Sequence, residues 1–373
     1  MHKDELGKML WLRHRWVYAL LVVLALGSAL YSTTTTIDNY HQSASYARSA
    51  ATKHKNGKRG AFNDQKYRKI MKEQAVIFTT ENAEGTSGTK AIPYNVQSSG
   101  AVTSYMMLIL AATLGIALVS WDRLGKFERF LYASPFARRR IYWQRFGQGL
   151  GALLCATTAF YLLTFGALFT MVPAQYVNIT VFGMLQIWVY NLVADSALYA
   201  AASWLALIFS NPLVTSVIGI IGFVLLDAFQ GAVQIIFAAI KHPTWSRAIE
   251  FGGIALRSPG RYWLTGLLVM IIGAVVFAFW GAPIFARSSS ENTSHILAFP
   301  PMKWPLIVIM AVLGSSYAFD YYDFRTSGIL VGAIFRMVLV GLIIGFCMWG
   351  LLSFGSIRRR WISRRNAKLK LKA

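Results

Sequence analysis

The residues best placed to do chemistry are ionisable groups inside long apolar runs. Asp195 stands near the middle of the run 180–209, with Asn191 and Ser196 beside it; Asp227 stands in the run 213–237 and Arg336 in 328–354. A charge in hydrocarbon is costly, so such residues mark a translocation path or a polar bond at a helix interface. For Asp195 both readings stand. A pair between Asp195 and Arg336 would need a common depth, and their positions within the two runs differ in depth. Hydrolytic chemistry has less support. Gly7-Lys8, Gly57-Lys58 and Gly125-Lys126 lack both the following Ser/Thr and the upstream Gly of a phosphate-cradling loop, so ATP hydrolysis is not expected of this chain. There is no HExxH sequence, and Gly85-Thr86-Ser87-Gly88 offers a serine without a partner. Cys155 and Cys347 both sit in apolar runs, where small buried apolar roles are expected, and the six His are scattered. The residues therefore imply no catalytic set, metal or bound cofactor in this chain.

The elements that carry these groups are membrane helices. Of the 373 residues, 55% are hydrophobic and 14% charged, with 24 Phe and 12 Trp. Several runs approach the roughly 20 residues needed to cross a bilayer. Spans are expected at about 16–31, 102–120, 149–171, 180–209, 213–237, 263–285, 304–319 and 328–354. The fold class is thus an all-α polytopic membrane protein of about eight transmembrane helices with one small external domain. The net charge of +22 would suggest nucleic acid in a soluble protein, but no nucleic-acid motif accompanies it. Here it points to anionic lipid headgroups.

One polar segment organises the chain. Residues 121–145 carry seven Lys/Arg (Arg123, Lys126, Arg129, Arg138, Arg139, Arg140, Arg145) against Asp122 and Glu128. Positive-inside asymmetry puts it on the cytoplasmic face. The spacing predicts one amphipathic helix from Arg123 to Tyr132, with Leu124, Phe127, Phe130 and Leu131 on its apolar stripe. Pro135 disfavours continuing that helix through Ser134. A second helix is expected to begin near Arg138, with Tyr142 and Trp143 at interface depth.

Arg123, Gly125, Glu128, Leu131, Ser134-Pro135 and Arg138, in that order after the second apolar run, resemble the cytoplasmic loop of the type-2 ABC exporter permease family. The likeness spans about twenty-five residues directly, and the hydropathy pattern extends it along much of the chain. It implies a membrane subunit of an ATP-driven exporter, a separate ABC ATPase subunit holding ATP and Mg, and a second permease subunit, identical or not. It further implies that Arg123 and Glu128 supply polar docking contacts for the ATPase, and Leu131 and Phe136 apolar ones. The minimal family pattern has six spans, and this chain has two more.

The resulting organisation has a cytoplasmic N-terminus and first helix over 1–31 and an external domain over 32–99. Core helices two to six with the coupling loop 121–147 occupy 100–285, two extra helices 286–355, and a basic cytoplasmic tail 356–373. The external part is expected to be partly helical from Asp64 to Phe78 and a loop from Asn82 to Lys90. Its ten Lys/Arg offend the positive-inside tendency, which weakens for segments longer than about 60 residues. The mixed segment 238–262, with four Lys/Arg, is expected outside, where the family carries short re-entrant helices. The segments assigned to the cytoplasm hold 21 Lys/Arg and the short outer loops hold five. A bacterial plasma membrane is the expected location. The substrate class is a peptide, lipid or envelope component. A membrane sensor or immunity protein, binding a ligand through 32–99, is the alternative; an intramembrane enzyme lacks a catalytic constellation.

Overall fold

The computed structural model describes residues 3–56, 105–125, 127–171, 181–222, 263–288, 297–320, 335 and 338–353. Among these the chain is almost entirely helical. Its one trace of extended pairing is an isolated antiparallel bridge between Phe209 and Leu297. Among the described residues five helices are long and apolar enough to cross a membrane. These are α1 (Lys3–Asn56), α2 (Tyr105–Leu124), α4 (Arg138–Met171), α5 (Val181–Ile208) and α7 (Trp263–Arg287). Between α2 and α4 lies the short α3 (Phe127–Ala133). Shorter apolar helices complete the description: α6 (Pro212–Gly222), α8 (Lys303–Asp320) and α9 (Val338–Ser353). The predicted spans at 102–120, 149–171, 180–209 and 263–285 coincide with α2, α4, α5 and α7 within a few residues, α4 starting earlier.

Two expectations about local structure are corrected. The span expected at 16–31 falls within the apolar stretch Glu5–Thr35, but the helix does not end there. It runs 54 residues to Asn56, about 80 Å at 1.5 Å per residue. The polar stretch 33–56 has neither Gly nor Pro, and the first glycine after Gly27 is Gly57, so nothing in it breaks a helix. Thr34 and Thr35 donate their hydroxyls to Tyr31 O at 2.9 Å, which absorbs two polar side chains along that helix. The first part of the segment assigned to the external domain is therefore a continuation of α1; Asp64 to Phe78 and Asn82 to Lys90 lie outside the described residues. The single amphipathic helix expected from Arg123 to Tyr132 is also two elements. α2 closes with the Gly125 N–H donating to Trp121 O at 3.0 Å, and α3 starts afresh at Phe127. Glycine is the weakest helix former after proline, and it stands where the chain must turn.

The described chain divides into two compact units. The first contains Met1–Leu114, Gly147–Tyr199 and Ala255–Ala274. Its core includes Leu6, Leu10, Ala111, Leu153, Phe160 and Ile187, and Gln148 Nε2 donates to Gly7 O at 2.8 Å. The second contains Gly115–Phe146, Ala200–Ile254 and Val275–Ala373. In it α8 and α9 approach closely. A methyl group on Gly341 would stand 3.2 Å from Ala311 O, and one on Gly345 3.4 Å from Ala311 Cβ, so the small-residue spacing Gly341-xxx-Gly345 serves close helix packing. The other such pair, Gly328 and Gly332, lies outside the described residues. Cys155 and Cys347 are both free but exposed on their helices, not buried as expected.

Candidate functional site

The second unit gathers the loop 121–145 against the ends of two long helices. An α-helix leaves its last four carbonyls without an internal donor, and those carbonyls carry the negative end of its dipole. At the end of α5 each has found one. The Arg123 guanidinium donates Nη1 to Ala206 O at 2.6 Å and to Phe209 O at 2.5 Å, and Nη2 to Leu207 O at 3.1 Å. Ile208 O accepts the Ala298 N–H at 2.8 Å, beside the Phe209–Leu297 bridge. The guanidinium fork carries five N–H donors, enough for three carbonyls and a further acceptor. The tight turn at Ser210-Asn211-Pro212 follows, with Asn211 Oδ1 accepting the Leu213 N–H at 2.9 Å.

The same guanidinium donates Nε to Glu128 Oε2 at 3.3 Å; both side chains are 6% exposed. Glu128, in the first turn of α3, also accepts the Tyr132 hydroxyl at 2.8 Å. That pair has helical i, i+4 spacing. The Tyr132 hydroxyl oxygen also lies 2.6 Å from Ser288 Oγ, whose own hydroxyl is within reach of Phe285 O at 2.8 Å. Burial first, and the neighbouring Glu128 charge second, push the Tyr132 phenol well above its ordinary range and keep it a donor at neutral pH. Arg138 closes the circuit. Its Nη1 donates to Ala286 O and Ser288 O at 3.1 Å, at the end of α7, and its guanidinium lies 4.5 Å from the Tyr132 ring centroid.

Beneath this layer Asp122 and Arg145 form a second buried ion pair at 3.3 Å, with side chains 0% and 3% exposed. Arg145 also lies over the Phe285 ring, 4.8 Å from its centroid. Phe285 is fully buried and meets the Tyr132 and Tyr142 rings as well. Tyr142 donates to Ala278 O at 2.8 Å, and its hydroxyl occupies the space a side chain on Gly281 would take. α3 is thus tied to the ends of α5 and α7 by charged hydrogen bonds and one aromatic cluster.

The predicted residues sort by direction. Arg123, Glu128 and the fully buried Leu131 point into the unit, where Arg123 and Glu128 have hydrogen-bond partners within this chain. Gly125 and Pro135 mark the two turns flanking α3, where Ser134 Oγ donates to Leu131 O at 2.6 Å. Phe136 is half-buried with Arg140 over its ring. The outward face of the loop carries Leu124, Arg129, Phe130, Arg139 and Arg140. Sequence reasoning missed the roles of Tyr132, Ser288, Asp122 and Arg145. The i, i+4 spacing of Glu128 and Tyr132 was the one local signal; the others meet partners far along the chain.

In the first unit Asp195 is 2% exposed and accepts the Thr157 hydroxyl at 2.8 Å, from α4. Beside it, Asn191 Nδ2 donates to Ile187 O and Ser196 Oγ to Leu192 O, within their own helix. Asp227 and Arg336 lie outside the described residues. Among the described residues no group of three His, Cys, Asp or Glu could hold a metal ion. Compared with protein-family models, curated proteins and solved structures, the chain matches none.

Proposed function

We propose that this chain is the membrane subunit of an ATP-driven exporter of the type-2 ABC permease kind. A separate ATPase docks on the loop around α3, and a second permease subunit completes the path. The observation that carries the reading is the circuit from Arg123 through Glu128, Tyr132 and Ser288 to Arg138, which ties a short amphipathic helix to the ends of α5 and α7. A loop that receives force from a partner must be rigidly joined to the helices it moves, and these part-buried hydrogen bonds, several of them charge-assisted, supply that joint. In this reading the ATPase meets the outward Leu124, Phe130 and flanking arginines, while Arg123 and Glu128 transmit. The full topology is eight spans in a bacterial plasma membrane, with both termini and the basic tail cytoplasmic beside anionic lipid. The segment 32–99 forms the external part, beginning as the continuation of α1. ATP and Mg are held by the partner. A peptide, lipid or envelope component is the cargo.

The test is purification of the tagged chain from its native membrane in mild detergent, as wild type, Phe130→Asp and Phe130→Leu. A co-purifying Walker-containing ATPase that is lost from Phe130→Asp and kept by Phe130→Leu is the expected result. An ATPase retained by all three, or a wild-type chain that comes out alone from lipid nanodiscs as well as from detergent, overturns the proposal.

A further inference from the structure

In the part of α5 that belongs to the first unit, most polar side chains are accounted for. Asp195 takes the Thr157 hydroxyl, Trp188 Nε1 reaches Thr158 Oγ1 at 3.4 Å, and Asn191 and Ser196 bond their own helix. Gln186 and Tyr190 are the exceptions. They are 3% and 1% exposed, and among the described residues neither Gln186 Nε2, Gln186 Oε1 nor the Tyr190 hydroxyl has a hydrogen-bond partner. Four residues apart, they share one stripe of the helix, with Cβ atoms about 5–6 Å apart. Gln186 stands nine residues, two and a half turns, before Asp195, so the stripe lies on the opposite side from the Asp195–Thr157 bond.

Buried polar groups in folded proteins almost always have a partner, and leaving one unsatisfied is costly, more so where no bulk water reaches. Two neutral side chains that together present donors and acceptors call for a guest that can also do both. They hold no charge to offset, so the guest is neutral. Water fits: a buried water takes two to four polar partners, and about three are offered here.

We propose that Gln186 and Tyr190 form an intramembrane binding site for a neutral hydrogen-bonding group, occupied by water in the resting protein. A hydroxyl or amide of a molecule passing through the membrane shares that chemistry and would displace the water. The site is independent of whether an ATPase works with this chain.

X-ray radiolytic labelling of the full chain in lipid nanodiscs tests the site, because hydroxyl radicals made from bound water modify the side chain that holds it. With no added ligand, water is the probe. Tyr190 is expected to be labelled several-fold faster than Tyr199, a residue of the same type and the same 1% exposure. Gln186→Leu should lower the Tyr190 rate several-fold and leave that of the exposed Tyr31 unchanged; Gln186→Met repeats the test if the leucine variant fails to fold. Equal rates at Tyr190 and Tyr199, or a Tyr190 rate indifferent to both substitutions, overturns the proposal. If labelling holds and the ATPase pull-down fails, the site stands and the exporter reading falls.

Discussion

Arg123 and Glu128 form one ion pair, yet removing the arginine should cost more than removing the glutamate. Arg123→Ala deletes three hydrogen bonds from the end of α5 and leaves Glu128, with its side chain 6% exposed, facing the Tyr132 hydroxyl alone among the described residues. Stranding a buried charge in this way costs about 3–5 kcal/mol. Glu128→Ala leaves the guanidinium on its three carbonyls, so the cation keeps partners and the loss is that of charge-assisted hydrogen bonds, about 1.5–3 kcal/mol. The double variant Arg123→Ala/Glu128→Ala has no stranded carboxylate. Its cost should fall short of the sum of the single losses by at least about 1 kcal/mol, beyond the scatter of independent sites. Arg123→Lys should recover only part, since an ammonium is a compact point charge without the planar fork. Equilibrium unfolding in mixed micelles, followed by tryptophan fluorescence, gives the four values. High salt should not close the gap, because buried pairs are weakly screened. If Glu128→Ala proves as costly as Arg123→Ala, or the double variant is additive within about 0.5 kcal/mol, the capping account of Arg123 is wrong.

Thr157→Val should destabilise by about 1–3 kcal/mol by taking the hydroxyl from the buried Asp195 carboxyl, and Thr157→Ser should restore most of it; the same unfolding assay reads both. Gly281→Ala places a methyl where the Tyr142 hydroxyl sits, so it should cost about 1–3 kcal/mol, and Tyr142→Phe in that background should recover a measurable part. Raising pH should expose Tyr132. Its folded-state pKa is raised above the ordinary phenol value of about 10, so its contribution is complete below that value and is lost as pH climbs from there toward the folded one. Tyr132→Phe should therefore flatten the alkaline fall in stability, and an unchanged slope would count against the buried hydroxyl.

The membrane helices could be read from the sequence because length and apolarity are local. α5 and α7 begin and end within two residues of their expected limits, since each is an unbroken apolar run flanked by polar or turn residues. The break at Gly125 was less legible: an amphipathic stripe continues across it, and periodicity cannot show that the chain turns. The long α1 was hidden for the opposite reason. Its second half is polar and lacks a stripe, so the absence of Gly and Pro was its only mark.

The circuit shows where reading along a chain stops. Arg123 looked like one of seven loop cations, and Glu128 like a surface acid beside it. What sets them apart is that the carbonyls of 206, 207 and 209 need donors, and that need arises from α5, more than eighty residues away. Likewise Tyr132 is defined by Ser288, and Arg138 by the end of α7. A motif in the loop therefore records the requirements of helix ends that it must hold, and its residues face inward. The exposed surface is the other side of α3, where Phe130 and Arg129 stand with nothing in the motif to distinguish them. If the loop does transmit force, substitutions at motif positions should weaken the joint and those on the outward face should weaken the docking. The two classes separate because only the first lowers the stability of the isolated chain.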